Sequence, residues 1–366
     1  MADSNLQLQW TDDQWNRVRQ VVYEEARKAR VAGNVLPLYG PLDPDATYVS
    51  KELLTYDKAP SEALTSKRIS VNNQETWPLL TLQIEVFLRG AQVADPELSS
   101  ALAAFRRAAN ILARLEDTII FNGRPPDVQV EAVRTQREKD LEEEKQARER
   151  TEQTHQQKVA QATAPRDKDI ADGELKQGRA NLEKLTQDNK KARESQKGGL
   201  AGEKLLALPT VWRVTGAERM DGLLDETEPA MSQLPGGQGT QSLGDRLVGD
   251  IAGAIGELEA AGHLGPFACV LDQEFFKAVQ TPNRGSLVLP QDRILPFLGG
   301  GPLLRTSTLP DYTGLVIASA GAPIDLVVAT DISVSFLQVT LEPRFVFRVY
   351  EKIALRIKEK GAVIRL

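Results

Sequence analysis

Hydrophobic positions recur with helical spacing in the first third of the chain and with strand spacing in the last third. Residues 12–32 predict an amphipathic helix that closes near Gly33. Its apolar stripe consists of Trp15, Val18, Val22, Ala26 and Ala29. Such a stripe has to pack against another surface.

Residues 40–78 carry prolines at positions 41, 44 and 60 and show little helical periodicity. This pattern predicts an extended arm or a β-hairpin. Residues 80–88 then alternate between apolar and polar positions, which predicts a strand.

A long helix is predicted next, with Asp95 as its cap, Pro96 in its first turn and an end at Gly123. Its apolar positions recur at Leu98, Leu102, Phe105, Ala109, Leu112 and Ile119. About 25 residues at 1.5 Å each give a helix of roughly 35 to 40 Å, long enough to form a spine for its surroundings.

Residues 131–197 change abruptly to closely mixed acidic and basic side chains with few apolar ones. We expect no heptad register among the sparse apolar residues, and we expect an interruption at residues 163–173, which contain Pro165. Charge pairs three or four residues apart favour helix. The pattern therefore predicts either a solvated helical hairpin or two partly ordered helices, with a mobile stretch as the alternative.

The remaining residues return to a globular composition and predict an α+β fold, with helices early and strands late. The predicted elements are a loop at 231–242, helices at 243–261 and 273–279, and strands at 267–271, 315–318, 324–329, 333–339, 345–350 and 353–357.

Net charge, cysteine count and the length of apolar runs exclude several classes of protein. The net charge of −6 argues against a surface built to bind nucleic acid, which makes nucleic acid an unlikely partner. A single cysteine, Cys269, excludes an intrachain disulfide. The first residues lack the pattern of a secretory signal, and no apolar run is long enough to span a membrane, so we expect a cytoplasmic protein.

Residues that could carry chemistry are scarce. His155 and His263 have no second metal ligand at a useful spacing, and the glycine-rich stretches lack the spacing that cradles phosphate. Glu116 and Asp117 are adjacent on a helix and point about 100° apart, which favours a salt-bridged helix end over an acid–base pair. The sequence therefore predicts no catalytic residues, no metal and no cofactor.

Six short stretches stand out in order along the chain. Residues 36–41 (LPLYGP) and 78–82 (PLLTL) follow the Trp15 helix, and residues 115–123 (LEDTIIFNG) end the predicted spine helix. Residues 265–271 (GPFACVL), 330–336 (TDISVSF) and 345–349 (FVFRV) come later. Together they resemble the encapsulin family of shell proteins, which is related to tailed-phage major capsid proteins and has the pattern Glu-Asp-x-x-Ile-Phe-x-Gly at the third stretch. The chain departs from the pattern at Thr330, where relatives have Gln, and in continuing past the last strand to Leu366.

The resemblance implies the tailed-phage capsid fold with a charged helical insertion. The implied divisions are an N-terminal helical arm (1–39), an extended E-loop (40–79), a peripheral domain with the spine helix (80–125 and 328–366), the insertion (126–200) and an axial domain (201–327).

The same resemblance implies the shell subunit of a bacterial encapsulin nanocompartment. Many copies would assemble into an icosahedral cage around a cargo enzyme, which binds through a short targeting peptide. The alternative is a phage or prophage major capsid protein that encloses DNA.

Two candidate sites follow from the resemblance. A cargo-binding groove would be lined by Trp15, Val18, Val22, Val31, Leu36 and Leu38, unless the apolar stripe packs wholly on its own subunit. A pore loop at the fivefold axis would contain Pro282, Asn283, Arg284 and Gly285. Because the insertion lacks a core, we also expect it to project from the shell as a solvated spike or brim.

Overall fold

The computed structural model describes residues 8–58, 67–162, 164–225, 242–282, 288–340, 342 and 344–366. The chain divides into two compact units, Met1–Gly123 with Leu208–Leu366, and Arg124–Ala207. The finer domain boundaries implied by the resemblance stay a prediction.

The helices of the described residues, in chain order, are α1 Asp12–Ala29, α2 Ala32–Val35, α3 Gly90–Val93, α4 Ser99–Asn122, α5 Asp127–Gln161, α6 Pro165–Glu194, α7 Gly199–Leu206, α8 Leu243–Ala260, α9 Gln273–Gln280 and α10 Pro290–Ile294. A 3-10 turn at Leu295–Leu298 follows α10. The strands are β1 Leu38–Tyr39, β2 Tyr48–Ser50, β3 Leu53–Lys58, β4 Lys67–Asn72, β5 Thr76–Pro78, β6 Leu80–Arg89, β7 Trp212–Thr215, β8 Phe267–Leu271, β9 Leu303–Arg305, β10 Gly314–Ala318, β11 Ile324–Val339, β12 Arg344–Ile357 and β13 Val363–Arg365.

The first unit contains a five-stranded sheet in the order β1-β11-β12-β6-β7. Every second residue of β6 from Leu80 to Leu88 is buried, which confirms the strand predicted from alternation. Helix α4 packs on β6 and β12, and α1 packs on α4. The spine helix predicted from its apolar spacing therefore covers one face of this sheet.

Helix α4 begins at Ser99, later than predicted. Leu98 adopts the left-handed conformation with φ 52°, which separates the helix from Asp95 and Pro96. The Asp95 carboxylate still accepts a hydrogen bond from the Ser99 amide at 3.0 Å. Asp95 thus accepts a hydrogen bond from the first amide of the helix, although the N-cap residue is Leu98.

The last strands are longer than predicted. Residues 324–329 and 333–339 belong to one strand, β11, and residues 345–350 and 353–357 belong to one strand, β12. Register shifts in the β11–β12 pairing fall between Val328 and Ser333 and again between Phe336 and Gln338. Bulges of this kind interrupt the apolar alternation while the strand continues, so the sequence pattern divides one strand into two.

A second sheet in the first unit has the order β13-β10-β8-β9. Its core joins the buried faces of β8 and β10 to α8, in agreement with the predicted strand at 267–271 and helix at 243–261. The last residues were not predicted to form structure, yet β13 pairs antiparallel with β10.

The predicted extended arm at residues 40–78 contains two small sheets, β2 with β5 and β3 with β4. The β3–β4 pair is a two-stranded hairpin whose register runs from Leu53 opposite Asn72 to Lys58 opposite Lys67. The Leu54 amide donates to the carbonyl oxygen of Lys358, the residue after β12, at 2.8 Å, which fixes the base of the hairpin to the end of that strand.

The second unit contains α5, α6 and α7, with α5 and α6 antiparallel. Arg193 near the end of α6 forms ion pairs with Asp140 of α5 and Glu203 of α7. Of the alternatives left open by the sequence, the structure therefore supports a helical hairpin. Its turn is shorter than predicted, because Pro165 occupies the first turn of α6 and Gly173 lies within that helix.

The expectation that the apolar residues of this segment lack a heptad register is wrong for α6. Its more buried face is formed by Ala171, Leu175, Gly178, Leu182 and Leu185. These positions follow spacings of four and three residues, and the facing positions of α5 are mostly polar.

Candidate functional site

Aromatic side chains fix the start of α1 on the first sheet and the spine helix. The Trp10 ring stacks on Phe347 of β12 with centroids 4.7 Å apart, and Trp15 lies edge-on to Trp10 at 5.1 Å. The Trp10 indole N–H donates to the Val93 carbonyl oxygen at 3.0 Å. The predicted site residue Trp15 is therefore half-buried in its own subunit.

The apolar stripe of α1 packs on the same subunit. Val18 and Val22 are 0% and 1% exposed, and Leu36 is 4% exposed. This burial supports the alternative in which the stripe is satisfied within the subunit. Whether these three residues contribute to a cargo groove stays a prediction.

A buried charged group lies where α1 ends. We call it the Arg30 cluster, and it consists of Arg30, Glu116 of α4, Asp331 of β11 and Glu351 of β12. The Arg30 guanidinium donates to Glu116 at 2.6 Å, Glu351 at 2.8 Å and Asp331 at 3.2 Å. One side chain thus joins the N-terminal arm to the spine helix and to both long strands.

The Arg30 cluster holds more acidic than basic side chains. Glu116 and Glu351 are fully buried, and Oε1 of each receives no hydrogen bond from the described residues. Burial raises the pKa of Glu116 to about 7, although Arg30 opposes the shift. Burial, and then the charge of Glu116, hold the pKa of Glu351 well above its usual range. A buried pair of this kind retains a proton near neutral pH.

Burial opposes the charge of Arg30, but Glu116, Glu351 and Asp331 together raise its pKa above the ordinary value. Arg30 therefore stays cationic, and any proton exchange in the cluster occurs on a carboxyl group.

Asp117, adjacent to Glu116, accepts hydrogen bonds from backbone amides. Its carboxylate accepts hydrogen bonds from the Val31 and Ala32 amides, with Oδ1 at 2.9 and 2.7 Å. These amides begin α2, so Asp117 supplies acceptors to a helix start that has no side-chain cap of its own. The predicted salt bridge at the helix end is confirmed for Glu116, while Asp117 holds the chain reversal after Arg30.

This reversal explains why α1 ends at Ala29 instead of continuing to residue 32 as predicted. Arg30 adopts an extended conformation at φ −70° and ψ 126°, which directs the following amides toward Asp117. The sequence signal for the partners was limited to the Glu-Asp pair at the end of the spine helix.

A second buried charged group supports the base of the β3–β4 hairpin. Arg356, 1% exposed, donates to both carboxylate oxygens of Asp325 at 2.9 and 2.8 Å. Its Nη1 lies 3.0 Å from Glu52, just before β3, and its guanidinium lies 4.1 Å from the centre of the Tyr39 ring. The bidentate pair with Asp325 and the stacking on Tyr39 both need the planar guanidinium group of arginine.

The remaining predicted site residues are dispersed. Val31 is half-buried and Leu38 is 58% exposed. Trp15 and Val31 lie near opposite ends of α1, roughly 20 Å apart at 1.5 Å per residue, so one short patch cannot contain both. Of the predicted pore loop, Pro282 is exposed, and Asn283, Arg284 and Gly285 lie outside the described residues.

Within the described ranges, no helix combines the length and the apolar character that crossing a membrane requires. The same ranges contain no group of three or more His, Cys, Asp or Glu side chains arranged to hold a metal ion.

The chain is similar to solved structures. The chain aligns with the virus-like particle from Pyrococcus furiosus at a TM-score of 0.51 and 13% identity, covering 96% of this chain and 98% of that one. It aligns with the holo-SrpI encapsulin complex from Synechococcus elongatus at a TM-score of 0.42 and 10% identity, covering 90% and 84%. The first alignment supports the predicted capsid fold.

A family model that matches most of the sequence shows the family of this chain. The model of the family described as encapsulating protein for peroxidase matches residues 7–172 and 211–354, which is well over half of the chain. The matched ranges include the Arg30 cluster and both strands of the hairpin. The chain therefore belongs to the encapsulin family of encapsulating shell proteins.

Proposed function

We propose that copies of this chain assemble into a closed icosahedral shell in the bacterial cytoplasm that encloses a cargo enzyme. The family description names a peroxidase as the enclosed protein, and an enzyme of that class is the first cargo to test. The shell subunit itself does no chemistry in this proposal.

The observation that carries the proposal is the β3–β4 hairpin. Ile69 and Val71 lie on β4, and their side chains are 68% and 57% exposed. A two-stranded hairpin is marginal in water unless a third surface covers its apolar side. Among the described residues, β3 and β4 form a sheet only with each other. A neighbouring copy would supply the missing surface.

Electron microscopy of purified protein tests this proposal. Wild type is expected to form closed particles, and the double variant Ile69→Asp/Val71→Asp is expected to remain as small oligomers, because two buried carboxylates would weaken the contact between copies. Val128→Asp is the matched control, since Val128 is 81% exposed and lies in the inserted unit. Equal particle yields for all three proteins would contradict the role of the hairpin.

We place cargo binding at the exposed end of the N-terminal arm, where Leu38 and Val31 offer apolar side-chain surface. Leu38 pairs with Leu326 through the backbone, so its side chain is held in place while it remains exposed. Leu38→Asp is expected to reduce the amount of co-expressed cargo recovered per particle. Val18→Asp is not a useful probe, because that side chain is buried and its change would unfold α1.

Enclosed DNA is the other outcome of the same preparation. The net charge of −6 supports a protein cargo, because an interior that packs DNA has to neutralise many phosphates. Nuclease-treated particles are expected to show the ultraviolet spectrum of protein alone. A nuclease-resistant nucleic acid content would favour the phage capsid function.

A further inference from the structure

A groove runs along one flank of the α5–α6 hairpin. Its volume is ≈ 370 Å³, and Leu175, Gly178 and Leu182 of α6 line it together with Thr151 of α5. The rim consists of the charged residues Arg148, Glu152, Arg179 and Glu183.

The apolar side of this groove is incompletely covered. The α6 face containing Leu175 and Leu182 is opposite α5 positions that are mostly polar, and both leucines remain half-buried. Gly178 brings the helices close, since a Cβ there would lie 2.5 Å from the Thr151 methyl carbon. Because α5 offers few apolar side chains to this face, the two helices leave part of it uncovered, and a four-helix arrangement would cover it.

The charges on the rim are self-complementary. Arg148 and Glu152 are one turn apart on α5, with Nε of Arg148 3.2 Å from the Glu152 carboxylate. Arg179 and Glu183 have the same order and spacing on the antiparallel helix α6. Along one direction, α5 therefore presents a base and then an acid, while α6 presents an acid and then a base. When a second copy faces this groove across a two-fold axis in the plane of the groove, the acidic side chains of its rim lie opposite both arginines of the first copy.

We propose that the α5–α6 hairpin pairs with the hairpin of a second copy through this groove and forms a four-helix contact. The proposal rests on the proposed function, because a shell holds many copies of the hairpin at high effective concentration. The occupant is a second copy of this chain, since the rim presents equal numbers of bases and acids in an order that matches itself.

Disulfide cross-linking of the full chain locates the contact. Leu182→Cys places a thiol in the groove, and Gln177→Cys places one on an exposed part of α6 away from it. The native Cys269 is fully buried and does not react in the folded protein. Under mild oxidation, Leu182→Cys shells are expected to yield covalent dimers, and Gln177→Cys shells at least several-fold fewer.

Charge reversal tests the complementarity. Arg148→Glu/Arg179→Glu in the Leu182→Cys background is expected to reduce the dimer yield by about tenfold, because four attractive pairs become repulsive. Glu152→Arg/Glu183→Arg should reduce it similarly. Shells assembled from an equal mixture of the two variants should recover at least about half of the wild-type yield, because random mixing makes about half of the neighbouring pairs mixed and the reversed rims of a mixed pair match each other.

Electron microscopy of the same samples separates this inference from the proposed function. Particles that form normally but give no dimers at residue 182, or dimers that persist when the charges are reversed, would overturn the hairpin contact and leave the shell intact. Absence of particles in every sample would overturn the proposed function itself.

Discussion

The guanidinium of Arg30 lies 2.6 Å from the carboxylate of Glu116, a side chain with no exposed surface. Arg30 belongs to the N-terminal arm and Glu116 to the middle of the sequence, 86 residues later. The same guanidinium also reaches Glu351 near the end of the chain. The contact therefore fixes the arm to the two elements that form the centre of the first unit.

Replacing Arg30 is expected to lower the free energy of unfolding. Arg30→Met leaves Glu116 and Glu351 buried without a cation, and losing one partner of a buried ion pair costs about 3–5 kcal/mol. The measurement is the free energy of unfolding, with hydrogen exchange of α1 as the local readout. Arg17→Met is the control, because its ion pair with Glu97 is exposed and contributes about 0–1 kcal/mol. Equal effects of the two changes would contradict the account.

The Arg30 cluster is expected to make stability depend on pH. Because the pKa of Glu116 is raised from 4.5 to about 7, its contribution is fully present below pH 4.5 and is lost as the pH rises through 7. Asp331 also raises the pKa of Glu116, while Arg30 and then Glu351 lower it.

Glu116→Gln removes the titrating group while keeping its shape. The difference in Tm between this variant and wild type is expected to shift in favour of the variant from pH 5 to pH 8. No change in this difference between pH 5 and pH 8 would mean that Glu116 is an ordinary ion-pair carboxylate, because a lowered pKa affects stability only below pH 4.5.

Gly123, which ends the spine helix, is expected to tolerate no side chain. Its φ is +79°, and a Cβ would lie 2.8 Å from the Met220 carbonyl oxygen and 2.9 Å from the Gly222 amide. Gly123→Ala should therefore destabilise the protein by more than about 1 kcal/mol. Gly249→Ala, within α8 and with no atom near its Cβ, should stabilise it by about 0.5–1 kcal/mol. Thermal unfolding of both variants checks the contrast.

The second unit, Arg124–Ala207, is expected to open locally while the first unit stays folded. Arg193 is buried and bridges Asp140 and Glu203, so Arg193→Ala leaves two acids without their partner. Hydrogen exchange should quicken in residues 127–206 and stay unchanged in residues 80–122. Arg134→Ala is the control, because its ion pairs with Glu131 and Glu138 are long and exposed. Faster exchange in both regions would show that the two units unfold together.

The sequence predicted the elements whose periodicity is local. Alternation identified β6, and helical spacing identified α4 and α8, because the buried faces of these elements are continuous. Charge pairing likewise predicted helix for the insertion. The bulges of β11 broke the alternation, and the leucines of α6 were too few among charged residues to reveal their common face.

The buried charges could not be predicted from the sequence in the same way. Arg30 follows several exposed basic residues of α1 and looks like another solvated side chain. Its partners come from α4, β11 and β12, and only the folded chain brings them together. Glu116 was recognised as part of a helix-end pair, but its complete burial depends on the sheet behind it.

Sedimentation velocity of the purified chain, over a wide range of protein and salt concentration, measures whether copies assemble into a shell. We expect a single fast boundary from closed particles of many copies, because assembly covers Ile69 and Val71. A slow boundary of compact monomers under every condition would show that the chain does not form a shell.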